Sequence, residues 1–100
     1  MTDKTEIMNK FKANSGGKEH EFAIQKVLDF NGNIKAVDVR ETYETNGEIR
    51  FGKNGFRCYS SEDLAILCST LFYCLSDTSK ATVLKQIDGM LSDDNENLEV

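Results

Sequence analysis

Six basic residues, Lys26, Lys35, Arg40, Arg50, Lys53 and Arg57, fall in stretches whose alternation predicts strands and their turns. Phe30, Tyr43, Phe51 and Tyr59 are interleaved with them. Cations for a phosphodiester backbone and flat rings for unstacked bases are what a single-stranded nucleic acid needs from a protein surface. The structural alternative makes the rings core and the charges a solvated outer face. It is favoured for Phe22, Phe51 and Phe56. Phe30 lies in a polar turn and Tyr43 stands among Glu41, Glu44 and Asn46, so both are expected on the surface.

Other chemistries have less to build on. His20 is the only histidine and has no serine or cysteine close to it in sequence; a small sheet with one helix offers little concavity for acid–base work. No catalytic residue is expected. The cysteines, Cys58, Cys68 and Cys74, form no Cys-x-x-Cys pair, so no metal and no cofactor is expected. Their odd number is a poor disulfide framework, and they are read as small buried hydrophobes. Gly16-Gly17-Lys18 invites a phosphate-loop reading, but the upstream glycine and the following Ser/Thr are missing; a flexible linker is expected there instead.

The elements that must position these residues can be read from periodicity. Residues 1–18 are expected to be a flexible N-terminal segment, in which Ile7, Met8 and Phe11 form at most one amphipathic helical turn. From Glu21 to Leu28 the pattern alternates, and it ends at Asp29-Phe30-Asn31-Gly32-Asn33. In the next strand, about Ile34 to Glu44, Val37 and Val39 share one parity and Ile34 has the other. A period-2 strand cannot bury all three on one face, so a β-bulge is expected near Lys35-Ala36. Beyond it Asp38, Arg40 and Thr42 point one way, and Val39, Glu41 and Tyr43 the other. Asn46-Gly47 predicts a type I′ turn into Glu48–Phe51. Lys53-Asn54-Gly55 reads as a second tight connection, into Phe56–Tyr59.

Ser60-Ser61-Glu62-Asp63 then announces a helix. Leu64, Leu67, Cys68, Leu71, Phe72 and Leu75 fall on one of its faces, and Ile66 and Tyr73 widen the apolar arc. One small sheet cannot cover so wide an arc, so this helix is assigned to a homodimer interface. A second, short helix is expected with Ser79 as its cap. The predicted fold is α+β: a four-stranded antiparallel β-meander, a C-terminal helix and a short extra helix, homodimeric. The domain is placed at 19–92, followed by an acidic tail, 93–100.

The 100 residues support one domain, and a net charge of −5 argues against a simple polybasic protein. The charge is uneven: residues 10–57 balance at +2, whereas residues 58–100 carry −6. An anion-binding surface is therefore expected in the first half. No apolar stretch approaches the ~20 residues of a membrane span, and the N-terminus lacks the apolar core of a signal peptide. A soluble protein without a membrane partner is expected: cytoplasmic in a bacterium or a virus-infected cell, nuclear if eukaryotic.

Asp29-Phe30-Asn31-Gly32, then Val37-Asp38-Val39-Arg40-Glu41, then Asn46-Gly47-Glu48-Ile49-Arg50-Phe51-Gly52-Lys53-Asn54-Gly55-Phe56 resembles the transcriptional coactivator positive-cofactor-four family. That family's motif is an Asp-Phe-x-Gly turn, a long strand ending in Asp-(apolar)-Arg-Glu, a Gly-Glu hairpin and a Gly-(basic)-x-Gly turn before a helix. The likeness runs from Phe22 to Leu75. It implies a homodimer with paired helices that binds single strands without sequence preference. It also implies that Phe30 and Tyr43 stack on bases, and that Arg40, Arg50 and Lys53 supply cations. Asn31, Asn33 and Asn54 stand where the family has lysines; they can hydrogen-bond phosphate but release no counterion.

The resulting expectation is a single-stranded DNA binder in replication, recombination or repair. The alternatives are a transcription cofactor contacting polymerase or activators, with DNA binding secondary, and a protein adaptor or DNA mimic suggested by the −5 charge. Replication, recombination or transcription proteins are further expected partners, through the helices or the acidic tail.

Overall fold

The computed structural model describes residues 4–98, with side chains described through residue 91. Four strands, β1 (Lys4–Ser15), β2 (Lys18–Leu28), β3 (Ile34–Thr45) and β4 (Glu48–Cys58), form one antiparallel meander in the order β1-β2-β3-β4. Two helices follow, α1 (Ser61–Tyr73) and α2 (Asp77–Leu98). The chain forms two compact units, Met1–Leu64 and Ala65–Val100. The α+β class and the antiparallel meander are as expected, but two of the four strands are not the expected ones.

The segment read as a flexible leader is a full edge strand, with Lys4 opposite Leu28 and Ser15 opposite Lys18. Gly16 and Gly17 both have positive φ, 61° and 81°, so the presumed linker is a two-residue hairpin turn. Asn46 and Gly47, at 52° and 79°, make the second such turn, as their sequence requires. The expected third and fourth strands are one strand, β4. Arg40 faces Gly55 and Thr42 faces Phe51, so the register slips and Gly52-Lys53-Asn54 bulges out opposite Glu41. The bulge inferred near Lys35 is present: Val27 pairs with Ala36 and Leu28 with Ile34, leaving Lys35 as the extra residue.

Register and burial define two faces. On one, Ala23, Gln25 and Val27 of β2 meet Arg40, Asp38 and Ala36 of β3, and all but Arg40 of these are buried. On the other, Phe22, Ile24, Val37 and Val39 are only half-buried. There Phe11 stacks on Phe22 with ring centroids 5.5 Å apart, and Phe56 lies opposite Val39. Phe51 and Phe56, expected in the core, are both exposed within the chain.

Ser60 caps α1: its Oγ accepts from the Asp63 N–H at 3.2 Å and donates to Glu62 Oε2 at 2.9 Å. The Glu62 carboxyl is lowered by its own backbone N–H and by this hydroxyl. The cap of α2 is Ser76, not Ser79; the Ser79 N–H donates to Ser76 Oγ at 3.2 Å. This helix has 22 residues and continues to Leu98, so it is not short and its backbone enters the expected tail. The tail's side chains, from residue 92 on, lie outside the described residues. Among the described residues no helix is long and apolar enough to cross a membrane.

Candidate nucleic-acid interface

The β2–β3 turn is built around Asp29. Its Oδ1 accepts from the Asn31 and Asn33 N–H groups at 2.9 and 3.0 Å, and its carbonyl accepts from Gly32 at 3.0 Å. These bonds hold the loop while Phe30 projects from it, 79% exposed. Asparagine at positions 31 and 33 thus serves the turn through its backbone, and Gly32 supplies the φ of 85°.

Tyr43 lies near the opposite end of β3, 52% exposed and directly across from Arg50. It stands nine positions beyond Ile34 at the start of β3, about 30 Å at ~3.3 Å per residue. The two exposed rings therefore mark the two ends of the long strand. Arg50 Nη2 donates to Glu48 Oε2 at 3.1 Å.

Arg40 and Arg57 lie on the other face and share one carboxylate. Asp38 Oδ1 accepts from Arg40 Nη2 at 2.7 Å and from Arg57 Nε at 3.2 Å. Its Oδ2 accepts from Gln25 Nε2 at 3.1 Å and from Arg40 Nε at 3.4 Å. Burial pushes the Asp38 carboxyl up, but the hydrogen bonds and charges of Arg40 and Arg57 outweigh it and hold the group below the usual carboxylate range.

The β4 bulge is gripped from both faces. Arg40 Nη1 donates to the Lys53 carbonyl at 3.0 Å, while Asn54 Nδ2 donates to Glu41 Oε2 at 2.7 Å. Glu41 also meets His20 Nδ1, and His20 Nε2 lies 3.1 Å from the Ser15 carbonyl. The lone histidine ties β1, β2 and β3 together.

The eleven expected binding residues do not share one surface. Phe30, Asn31 and Asn33 cluster at the turn. Tyr43, Arg50 and Lys26 lie on the half-apolar face, and Arg40 and Arg57 on the face with the buried centre. Lys53 and Asn54 occupy the β4 bulge, and Lys35 the β3 bulge. Several of the cations are already paired: Lys26 with Glu6 at 3.2 Å, Arg50 with Glu48, and Arg40 and Arg57 with Asp38. Lys53 has no carboxylate partner among the described residues.

Sequence reading missed Lys10, Lys12 and Gln25 on the Arg40 face, and it placed Asp38 there by parity without naming it as a site residue. Lys10 and Lys12 sit on β1 opposite Ala23 and Glu21, in the stretch expected to be a flexible N-terminal segment. Next to them Lys10, Glu21, Thr42, Tyr43, Glu44 and Ile49 line an open cavity of about 430 Å³.

The helical unit carries a second feature. Ala65, Cys68, Leu71, Phe72, Leu75, Val83, Leu84 and Ile87 line a largely apolar cleft of about 650 Å³. No residue of α1 is buried. Of the cysteines expected to be buried, Cys58 is half-buried, whereas Cys68 and Cys74 are exposed. Among the described residues no group of three His, Cys, Asp or Glu side chains is placed to hold a metal ion. Comparison of the chain with protein-family models, with curated proteins and with solved structures finds no match, and the functional argument rests on the residues themselves.

Proposed function

We propose that this chain is a sequence-tolerant single-stranded DNA-binding protein that acts as a homodimer in replication, recombination or repair. The observation that carries the reading is Phe30, a ring 79% exposed on a turn fixed by its own hydrogen bonds. Such a ring contributes nothing to a core, and its fixed backbone reduces the entropy lost when a base stacks on it. Tyr43 beside Arg50 supports the same reading at the far end of β3. So does the resemblance carried by the Asp29–Gly32 turn, the Asp38–Glu41 strand and the Asn46–Phe56 segment.

The charge pattern sets how binding should be partitioned. Among the described residues Lys26, Arg40, Arg50 and Arg57, four of the six expected binding cations, meet a carboxylate, and the net charge is −5, so stacking carries more of the affinity than counterion release. Replacing Phe30 or Tyr43 with alanine should weaken single-strand binding by roughly 1–3 kcal/mol, the range for base–aromatic contacts. The melting temperature should stay within a few degrees, because both rings are exposed. Anisotropy titration of a labelled oligonucleotide checks the first expectation and thermal melting the second. A lowered melt with no separable binding defect would make the rings structural.

The homodimer reading is supported by the apolar cleft of the helical unit, where Leu71 is 58% exposed and Leu84 56%. A second copy is the occupant proposed for it. Sedimentation should then give a mass near twice 11.3 kDa, and Leu71→Glu should dissociate or unfold the protein. A monomer at micromolar concentration would contradict this.

A further inference from the structure

Arg40 and Arg57 meet the same carboxylate but differ in what they have left. Two guanidiniums on Asp38 leave the cluster with one uncompensated positive charge, and among the described residues neither arginine pairs with another carboxylate. Arg40 commits all three nitrogens inside the sheet: Nε and Nη2 to Asp38, and Nη1 to the Lys53 carbonyl. Arg57 commits Nε to Asp38 and shares a hydrogen bond with the Tyr59 side chain at the sheet's exposed edge. Its side chain is also the more exposed of the two, 35% against 24%. Tyr59, two residues further on and exposed, stands beside it and, with Asp38, keeps the guanidinium firmly protonated. Gly55, opposite Arg40, places no side chain on this face.

We propose that the Nη edge of Arg57, flanked by Tyr59, is a phosphate-oxyanion site, and that Arg40 is a positioning residue that orients Asp38 and the β4 bulge. A guanidinium edge matches two phosphate oxygens, and one phosphodiester charge balances the cluster. Assigning the phosphate to a single-strand backbone rests on the function proposed above.

The test uses the full chain with nitrogen-15-labelled arginine side chains. Inorganic phosphate should move the Arg57 Nε–H resonance saturably, and a short oligothymidylate should move it at much lower concentration. Arg57→Gln should weaken oligothymidylate binding about tenfold, the loss of one charge-assisted contact, and make the salt slope shallower by ~0.7. Its melting temperature should hold, since Arg40 still neutralises Asp38. Arg40→Lys keeps the charge and should therefore keep the slope while lowering the affinity and the melt. Should Arg57→Gln fail to fold, Arg57→Lys, which retains charge without the fork, carries the affinity test. Oligothymidylate binding with an unmoved Arg57 resonance and an unchanged slope would overturn the site and leave the single-strand reading standing. A phosphate response without any oligothymidylate binding would overturn the phosphodiester assignment together with that reading.

Discussion

Alanine at Gly55 should disrupt the β3–β4 pairing and leave the protein largely unfolded at moderate temperature. The residue has φ of 151°, where side chains are rarely tolerated. A Cβ placed there would lie 2.1 Å from the Val39 carbonyl oxygen and 2.9 Å from the Arg40 Cα. Both are backbone atoms, so no rotamer change relieves the contact. Strain and displaced pairing together should cost at least ~3 kcal/mol, or roughly 15 °C of melting temperature for a chain of this length. Gly52→Ala is the internal control: its Cβ would meet the Glu41 carbonyl at 3.5 Å, an ordinary contact, and should cost less than about 1 kcal/mol. Thermal melts followed by circular dichroism compare the two. Equal melts would mean that β4 does not approach β3 closely at Gly55.

Asp38→Asn should produce the next largest loss. Asp38 is only 1% exposed, and its removal leaves two guanidiniums facing each other without an anion. A fully buried pair broken in this way costs about 3–5 kcal/mol; with Arg40 and Arg57 partly exposed, about 2–3 kcal/mol is expected. The same contact fixes a pH dependence. The folded carboxyl is held below its unfolded value, so its contribution is complete above about pH 4 and is lost as the pH falls through the folded value. Wild type should lose stability below about pH 4, and Asp38→Asn should lack that component. Parallel acid limbs in the two denaturation curves would show that Asp38 is not the anchor.

How much of the fold could be read in advance follows from where the period-2 pattern survives. β2, β3 and the Asn46-Gly47 turn were legible because alternation there is regular and both turn residues favour positive φ. The Lys35 bulge was legible for a related reason: Ile34 has the wrong parity for Val37 and Val39. β1 was not, and its own bulge explains why. The register slips between Ile7 and Asn9, so Ile7, Met8 and Phe11 fall at a spacing that imitates a helical turn. β1 is also an edge strand, largely exposed and without a buried face to mark its period. Gly16-Gly17 becomes recognisable as a hairpin only when strands are known on both sides. β4 was divided in two because Gly52 and Gly55 look like turn residues; here they permit a three-residue excursion without ending the pairing.

The candidate site divides in the same way. Exposure of Phe30 and Tyr43 followed from local surroundings, a polar turn and an acidic strand end. That Asp38 and Arg40 share a face followed from parity. Arg57 joined them only through the pairing of Asp38 with Arg57, which lies beyond the slipped register of β4. Gln25 likewise reaches Asp38 only across the β2–β3 ladder. Ion pairing within the sheet, which leaves Lys53 and the Arg57 edge as the more available cations, is a property of register that composition does not carry.

The central proposal is tested most directly by titrating matched labelled oligonucleotides, single-stranded and double-stranded, with the wild-type protein at two salt concentrations. Stacking on exposed rings requires unpaired bases, so single strands should bind at least tenfold more tightly than the duplex. The salt slope should be shallow, about −1.4 for two phosphate contacts per chain at ~0.7 each. Equal affinity for the two forms, or no binding to either, would contradict it.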